Sequence, residues 1–169
     1  MNKSFSNQLA KESANHWITF FTPTYQRGDK LHRVYESLLQ LEIPEDKNGK
    51  KITFEWLVVD DGSTDGTCDK VRQWADEERI PVRYFYQENQ GKHVAYNLAV
   101  AQARTFAFIC IDSDDAFLPN VLQVFYEEWK KVPNPDEIKG LTARCCDPET
   151  KQIVGTKLPP PNSFSRKYA

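Results

Sequence analysis

The sequence predicts a three-layer α/β/α fold on a mainly parallel sheet, and three observations carry that expectation. Four apolar runs of strand length recur along the chain, each nearly continuous rather than alternating, as suits strands covered on both faces. Helix-length segments separate them in the order βαβαβαβα, which favours parallel strands, right-handed crossovers and helices on both sides. Polar residues follow three of the four runs, with carboxylates after two of them, where sheets of this kind bind ligands.

The first strand is expected over Trp17–Thr22. Lys30–Leu41 then places Leu31, Val34, Tyr35, Leu38 and Leu41 at spacings of three and four, an amphipathic helix with Pro44 beyond its end. A second strand spans Phe54–Asp60. Ser63, Thr64 and Asp65 are good N-cap types ahead of a helix that carries Val71 and Trp74 on one face and stops before Pro81. Val82–Gln87 reads as the third strand, and Gly91 precedes a helix over Lys92–Ala103 with a narrow face of Ala95, Leu98, Ala99 and Ala103. Thr105–Ile111 is the fourth strand. The last helix, Leu118–Lys131, has Pro119 near its start, where a missing N–H costs nothing. Beyond Lys131 the chain becomes polar and Pro-rich, with Gly140–Cys146 as a candidate further strand. The expected organisation is a leader over 1–16, one domain over 17–147 and a Pro-rich tail over 148–169.

A length of 169 residues fits one domain, and 40% apolar residues support a packed core. With 22 Lys and Arg against 24 Asp and Glu, bulk charge gives no reason to expect a nucleic-acid partner. The longest apolar runs, Phe106–Ile111 and Trp17–Phe21, fall far short of the roughly 20 residues that span a bilayer. No transmembrane segment is expected, and Met1–Ser13 lacks the apolar region of a secretory signal, so the expected location is cytoplasmic. Cys68, Cys110, Cys145 and Cys146 lack metal-type spacing and read as reduced thiols, with Cys110 a small core residue. His16, His32 and His93 are scattered, which argues against zinc.

Three segments carry chemistry: Thr22-Pro23-Thr24-Tyr25-Gln26-Arg27, Val59-Asp60-Asp61-Gly62-Ser63-Thr64-Asp65 and Asp112-Ser113-Asp114-Asp115. On an extended chain Asp112 and Asp114 project to the same side, and their mutual repulsion is relieved by a hard cation. Mg²⁺ or Mn²⁺ held by one or two carboxylates completes its shell with water and substrate phosphates. The plainer alternative is a solvated acidic turn that caps the next helix. Asp60 and Asp61 arrive at the same edge, where one can accept from a base N–H or ribose hydroxyls; the alternative is turn chemistry. Gly91, Lys92 and His93 open a helix where an anion is favoured. Neither a Walker loop nor G-x-G-x-x-G is present.

With these motifs in place, the sequence resembles a family 2 glycosyltransferase, one of the inverting nucleotide-sugar enzymes with the Rossmann-like GT-A fold. The resemblance rests on Thr22-Pro23-Thr24-Tyr25, on the run from Val58 to Thr67, on Asn89-Gln90-Gly91 with Ala95 and Asn97, and on Ile111-Asp112-Ser113-Asp114-Asp115; it covers Trp17 to Trp129. It implies that Pro23, Tyr25 and Arg27 line a nucleotide pocket, that Val59 and Asp61 contact base or ribose, and that Asp60 is a structural neighbour. Asn89, Gly91, Lys92, Asp112 and Ser113 complete the implied donor site. Asp112 and Asp114 would hold Mg²⁺ or Mn²⁺, with Asp114 the more direct ligand and Asp115 turned toward the helix as a cap.

The implied reaction is inverting transfer of a sugar from a nucleoside-diphosphate sugar to a hydroxyl of a saccharide or lipid-linked acceptor, as in polysaccharide biosynthesis. The family's general base is an acidic residue in the second half of the domain. No matching motif follows here, and Glu127, Glu128, Asp136, Glu137, Asp147 and Glu149 stay unassigned. The favoured expectation is the donor-binding part of a longer enzyme, whose bared apolar surface would promote self-association. A module that binds donor without transfer is the alternative. A receiver-like phosphoacceptor domain is a third, and it leaves Trp17–Leu41, Tyr25 and Asn89 without a role.

Overall fold

A computed structural model describes residues 16–132, 143, 145–147 and 149–154. The expected order of elements is present: β1 (Ile18–Thr24), α1 (His32–Leu39), β2 (Phe54–Asp60), α2 (Thr67–Asp76), β3 (Val82–Tyr86), α3 (Lys92–Gln102), β4 (Ala107–Cys110) and α4 (Val121–Lys130). The four strands form one sheet in the order β3-β2-β1-β4, and every pairing is parallel. Phe20 at its centre pairs with Trp56 on one side and Ile109 on the other.

The chain steps from β1 outward to β2 and β3, then returns to place β4 on the far side of β1. Right-handed crossovers demand that this reversal put α3 on the opposite face from α1 and α2. Packing follows that rule. On one face the Tyr35 ring of α1 stacks on Trp74 of α2 with centroids 4.6 Å apart, and Trp56 Nε1 donates to Thr22 Oγ1 at 3.0 Å. On the other, Phe21, Leu57 and Val59 pack against Ala95 and Ala99, whose small side chains let α3 lie close to the sheet. All residues of β1 and β2 are buried, in keeping with their unbroken apolar runs.

Several expectations need correction. Cys110 is exposed rather than core, because β4 ends the sheet among the described residues and is only partly covered. Helix α2 begins at Thr67 rather than at Ser63, whose Oγ accepts from Gln26 N–H, while Asp65 keeps its capping part by accepting the Thr67 N–H at 3.1 Å. Helix α4 begins at Val121, six residues past Asp115, so that carboxylate does not cap it. The chain divides into two compact units, Met1–Gln123 and Val124–Ala169. In the second, Cys146 bridges Ile153 antiparallel around a turn in which Asp147 Oδ1 accepts the N–H groups of Glu149 and Thr150. The leader over 1–15, most of the candidate strand Gly140–Cys146 and the tail beyond 154 lie outside the described residues. Among the described residues, no helix is long and apolar enough to cross a membrane.

Candidate functional site

In open α/β sheets ligands settle beyond the carboxyl ends of strands where the strand order reverses. Here that point lies between β1 and β4, and a cleft of about 300 Å³ opens there. Pro23, Thr24, Tyr25, Arg27, Asp61, Lys92, Asp112, Ser113 and Asp114 line it. A larger groove of about 420 Å³ runs beside Asp69, Arg72, Gln73, Asp76 and Glu77, but its walls come from a single helix and its end, away from the strand ends.

The loop after β1 is zipped to the loop after β2. Gln26 adopts φ 52°, and its backbone N–H donates to Ser63 Oγ at 2.8 Å while its side-chain Nε2 donates to Thr64 Oγ1 at 2.9 Å. Gly28 N–H donates to Asp65 Oδ2 at 2.9 Å, and Lys70 Nζ donates to Gly28 O at 2.9 Å. A Cβ on Gly28 would sit 3.1 Å from Thr67 Oγ1, so this close approach calls for glycine. Arg27 therefore projects from a backbone pinned on both sides.

The two aspartates after β2 have separate tasks. Asp60 is fully buried and accepts from Ser63 N–H at 2.8 Å and Tyr84 Oη at 2.7 Å, the structural role expected of it. Asp61 accepts from Gln87 Nε2 at 2.6 Å, Gln90 N–H at 2.9 Å and Gly91 N–H at 2.8 Å. Burial alone would raise the Asp61 carboxyl, but the hydrogen bonds from Gln90, Gln87 and Gly91 outweigh it and hold the group below its ordinary value. This carboxylate thus fixes the N-terminus of α3, from which Lys92 projects. Gly62 permits the approach: at φ 91°, a Cβ there would lie 2.9 Å from the Asn89 nitrogen.

After β4, Asp112–Asp115 forms a turn closed by Asp115 N–H donating to Asp112 O at 3.1 Å, rather than an extended segment. The side chains of Asp112 and Asp114 still both reach the cleft, with Ser113 buried between them. Each meets a cation. Arg27 Nη1 donates to Asp114 Oδ2 at 2.8 Å, and Lys92 Nζ donates to Asp112 Oδ1 at 2.5 Å. Partial burial works against the charge on Asp114, but the hydrogen bond from Arg27 outweighs it and the carboxyl lies below its ordinary value. The hydrogen bond to Asp112 raises Lys92, while burial together with Asp112 and Asp114 pushes Asp115 up.

Of the residues expected from sequence, Pro23, Tyr25, Arg27, Asp61, Lys92, Asp112, Ser113 and Asp114 come together in the cleft. Val59 does not: its side chain is buried in the core beneath α3. Asn89 is exposed outside the cleft wall, with its backbone against Gly62, and Gly91 gives its N–H to Asp61. Thr24 was not singled out, although it lies between Pro23 and Tyr25 in the same motif. It lines the cleft, is 3% exposed, and its Oγ1 is one of two buried side-chain polar atoms among the described residues without a hydrogen-bond partner.

Two carboxylates and a hydroxyl in one turn form an all-oxygen donor set, the kind a hard divalent ion shares with phosphate oxygens. Among the described residues no three His, Cys, Asp or Glu side chains gather to hold a metal. The turn thus offers oxygen donors but no complete set of protein ligands.

Comparison with known proteins places the chain in a family. A family model described as glycosyl transferase family 2 matches residues 19–157. The putative teichuronic acid biosynthesis glycosyltransferase TuaG of Bacillus subtilis is 33% identical over 132 residues, which are 76% of this chain and 43% of that protein. The structure of S. aureus TarS 1-349 in complex with UDP-GlcNAc superposes with a TM-score of 0.57 at 25% identity, covering 68% of this chain and 31% of that one. The mannosyltransferase PcManGT of Pyrobaculum calidifontis, in complex with GDP-Man and Mn²⁺, shares the fold with a TM-score of 0.52 at 22% identity, over 78% of this chain and 35% of that one. This chain thus spans less than half the length of each of these relatives. A receiver-like arrangement is set aside, because β1, which it leaves unexplained, pairs on both sides within the sheet. A family match over most of the chain, the shared α/β architecture and a polar cleft at the strand-order reversal lead to one conclusion: the chain belongs to glycosyl transferase family 2.

Proposed function

We propose that the cleft binds a nucleoside-diphosphate sugar and serves inverting transfer of its sugar to a hydroxyl of a saccharide or lipid-linked acceptor. The observation that carries this reading is the meeting of Arg27, Lys92, Asp112 and Asp114 at the carboxyl ends of β1 and β4. Pro23 and Tyr25 offer a wall for the base. Asp61 keeps acceptor capacity for a base N–H or ribose hydroxyl, since its Oδ2 receives a single hydrogen bond from the protein. Arg27 and Lys92 supply positive charge for the diphosphate, beside the N-terminus of α3 where an anion is favoured. A Mg²⁺ or Mn²⁺ ion shared between Asp112, Asp114 and the diphosphate would stabilise the departing charge. Asp112 and Asp114 lie in a single turn beside that diphosphate; attack by the acceptor hydroxyl from the opposite face, with its proton passing to a general base, breaks the anomeric C–O bond to the nucleoside diphosphate and inverts the centre.

A UDP-sugar is the first donor to test, because the TarS structure similar to this chain holds UDP-GlcNAc. Calorimetric titration of UDP, GDP and dTDP, each with and without Mn²⁺, tests the reading. Metal-dependent binding of one of the three is expected. Absence of binding by all three, with the chain folded, overturns it.

A further inference from the structure

The two carboxylates of Asp112 and Asp114 are matched one for one by Lys92 and Arg27, so the four side chains sum to zero charge. An incoming divalent cation has to take carboxylate oxygens from both basic groups. The Asp61 carboxylate lines the same cleft, so the metal alone leaves one unit of positive charge in excess there. A diphosphate arriving with it restores the balance and offers the two displaced cations new oxygens.

The backbone geometry suits such an exchange. Arg27 lies between Gln26, held by Ser63, and Gly28, held by Asp65 and Lys70. Lys92 follows Gly91, whose N–H is held by Asp61. Both basic side chains can turn from carboxylate to phosphate while their backbones stay still. The contacts they give up are weak, because the paired side chains are 42% to 60% exposed and water screens ion pairs of that kind. Arg33 adds a looser bond, 3.4 Å from its Nη1 to Asp114 O, that keeps positive charge beside the turn.

We propose that Arg27 and Lys92 are internal counter-ions of the acidic pair, which make metal and nucleoside-diphosphate binding mutually dependent. Metal alone binds poorly because it competes with two resident cations; diphosphate relieves the competition by drawing those cations to itself. Linkage makes the effect reciprocal, so Mn²⁺ strengthens UDP binding by the same factor by which UDP strengthens Mn²⁺ binding. The proposal rests on the reading that Asp112 and Asp114 share a metal with the donor.

The test reads Mn²⁺ affinity by the electron paramagnetic resonance signal of free Mn²⁺, with and without saturating UDP, and needs no turnover. In the unaltered chain UDP is expected to tighten Mn²⁺ binding by about 10-fold or more, within the usual range of coupling between sites. In the double variant Arg27→Gln/Lys92→Gln, Mn²⁺ alone should bind several-fold more tightly than to the unaltered chain, and the added effect of UDP should shrink. Circular dichroism checks that the variant is folded, and the single variants serve if it is not. Unchanged or weaker binding of Mn²⁺ alone by the folded variants overturns the proposal. Asp114→Ala separates this failure from failure of the underlying reading: if it leaves Mn²⁺ and UDP binding intact, the metal assignment itself falls and the counter-ion proposal with it.

Discussion

The sheet carries ion pairs at both ends, and their surroundings differ completely. Among the amino-terminal halves of the strands, Arg83 of β3 meets Glu55 of β2 with side chains 4% and 1% exposed. Thr19 Oγ1 donates to Glu55 Oε1 at 2.7 Å, and Arg83 Nη1 also donates to the carbonyl of Gln102 at 3.0 Å. Beyond the carboxyl ends, Arg27–Asp114 and Lys92–Asp112 stand in the open cleft. The same functional groups are fixed in one place and exchangeable in the other. A buried pair whose partner is removed leaves an uncompensated charge, whereas exposed pairs share their charges with water and can trade partners at little cost.

The largest expected effect breaks the buried end. Arg83→Ala should destabilise the domain by about 3–5 kcal/mol in urea unfolding, because Glu55 would be left ionised and buried. Replacing both residues together by Met should cost clearly less than that single change. A loss below about 1 kcal/mol for Arg83→Ala would erase the distinction between the two ends.

Next comes the joint between frame and cleft. Asp61→Ala strips the acceptor from Gln87, Gln90 and Gly91 and should cost about 1–3 kcal/mol of stability, with weakened nucleotide binding as Lys92 loses its anchorage. Unfolding curves and UDP titration on the same sample measure both. Full UDP affinity at reduced stability would confine Asp61 to folding.

At the exposed end, Asp112→Ala should change stability by less than about 1 kcal/mol, as befits a screened pair. A loss as large as that of Arg83→Ala would make the cleft pairs structural as well.

The smallest effect is that of pH. Asp61 and Asp65 have folded-state carboxyls held below the ordinary 3.8, burial being outweighed at Asp61 by Gln90, Gln87 and Gly91 and at Asp65 by Thr67 and Gly28. The unfolded chain therefore takes up protons first on acidification. Their stabilisation is complete above the unfolded value and disappears as pH falls through the lower folded values. Urea midpoints should be flat near neutrality and decline below about pH 4. Asp61→Asn should blunt that decline, and an unaltered pH profile would remove Asp61 as its source.

Much of this was legible in the chain because the signals are local. The unbroken apolar runs of β1 and β2, the alanine face of α3 and the carboxylates at the strand ends can each be read within a few residues. What escaped depends on distant partners. The grip of Asp61 on Gln87 joins residues 26 apart, and nothing in Asp-Gly-Ser-Thr-Asp announces which backbone it will clasp. Its motif points Val59 toward the ligand, but strand alternation turns its side chain to the core under α3. Cys110 lies in an apolar run like those of the inner strands, and only the sheet order reveals that β4 ends the sheet among the described residues. The acidic segment is a turn closed by Asp115 N–H donating to Asp112 O, which matches the plainer turn reading of Asp-Ser-Asp-Asp rather than the extended one.

The acidic turn and its two cations form the proposed donor site. Calorimetric titration of UDP in the presence of Mn²⁺, run in parallel on the unaltered chain and on Asp114→Ala, tests it most directly. Mn²⁺-dependent binding by the unaltered chain is expected, with its loss in a variant whose circular dichroism is unchanged; equal UDP affinity in both would remove Asp114 from the donor site.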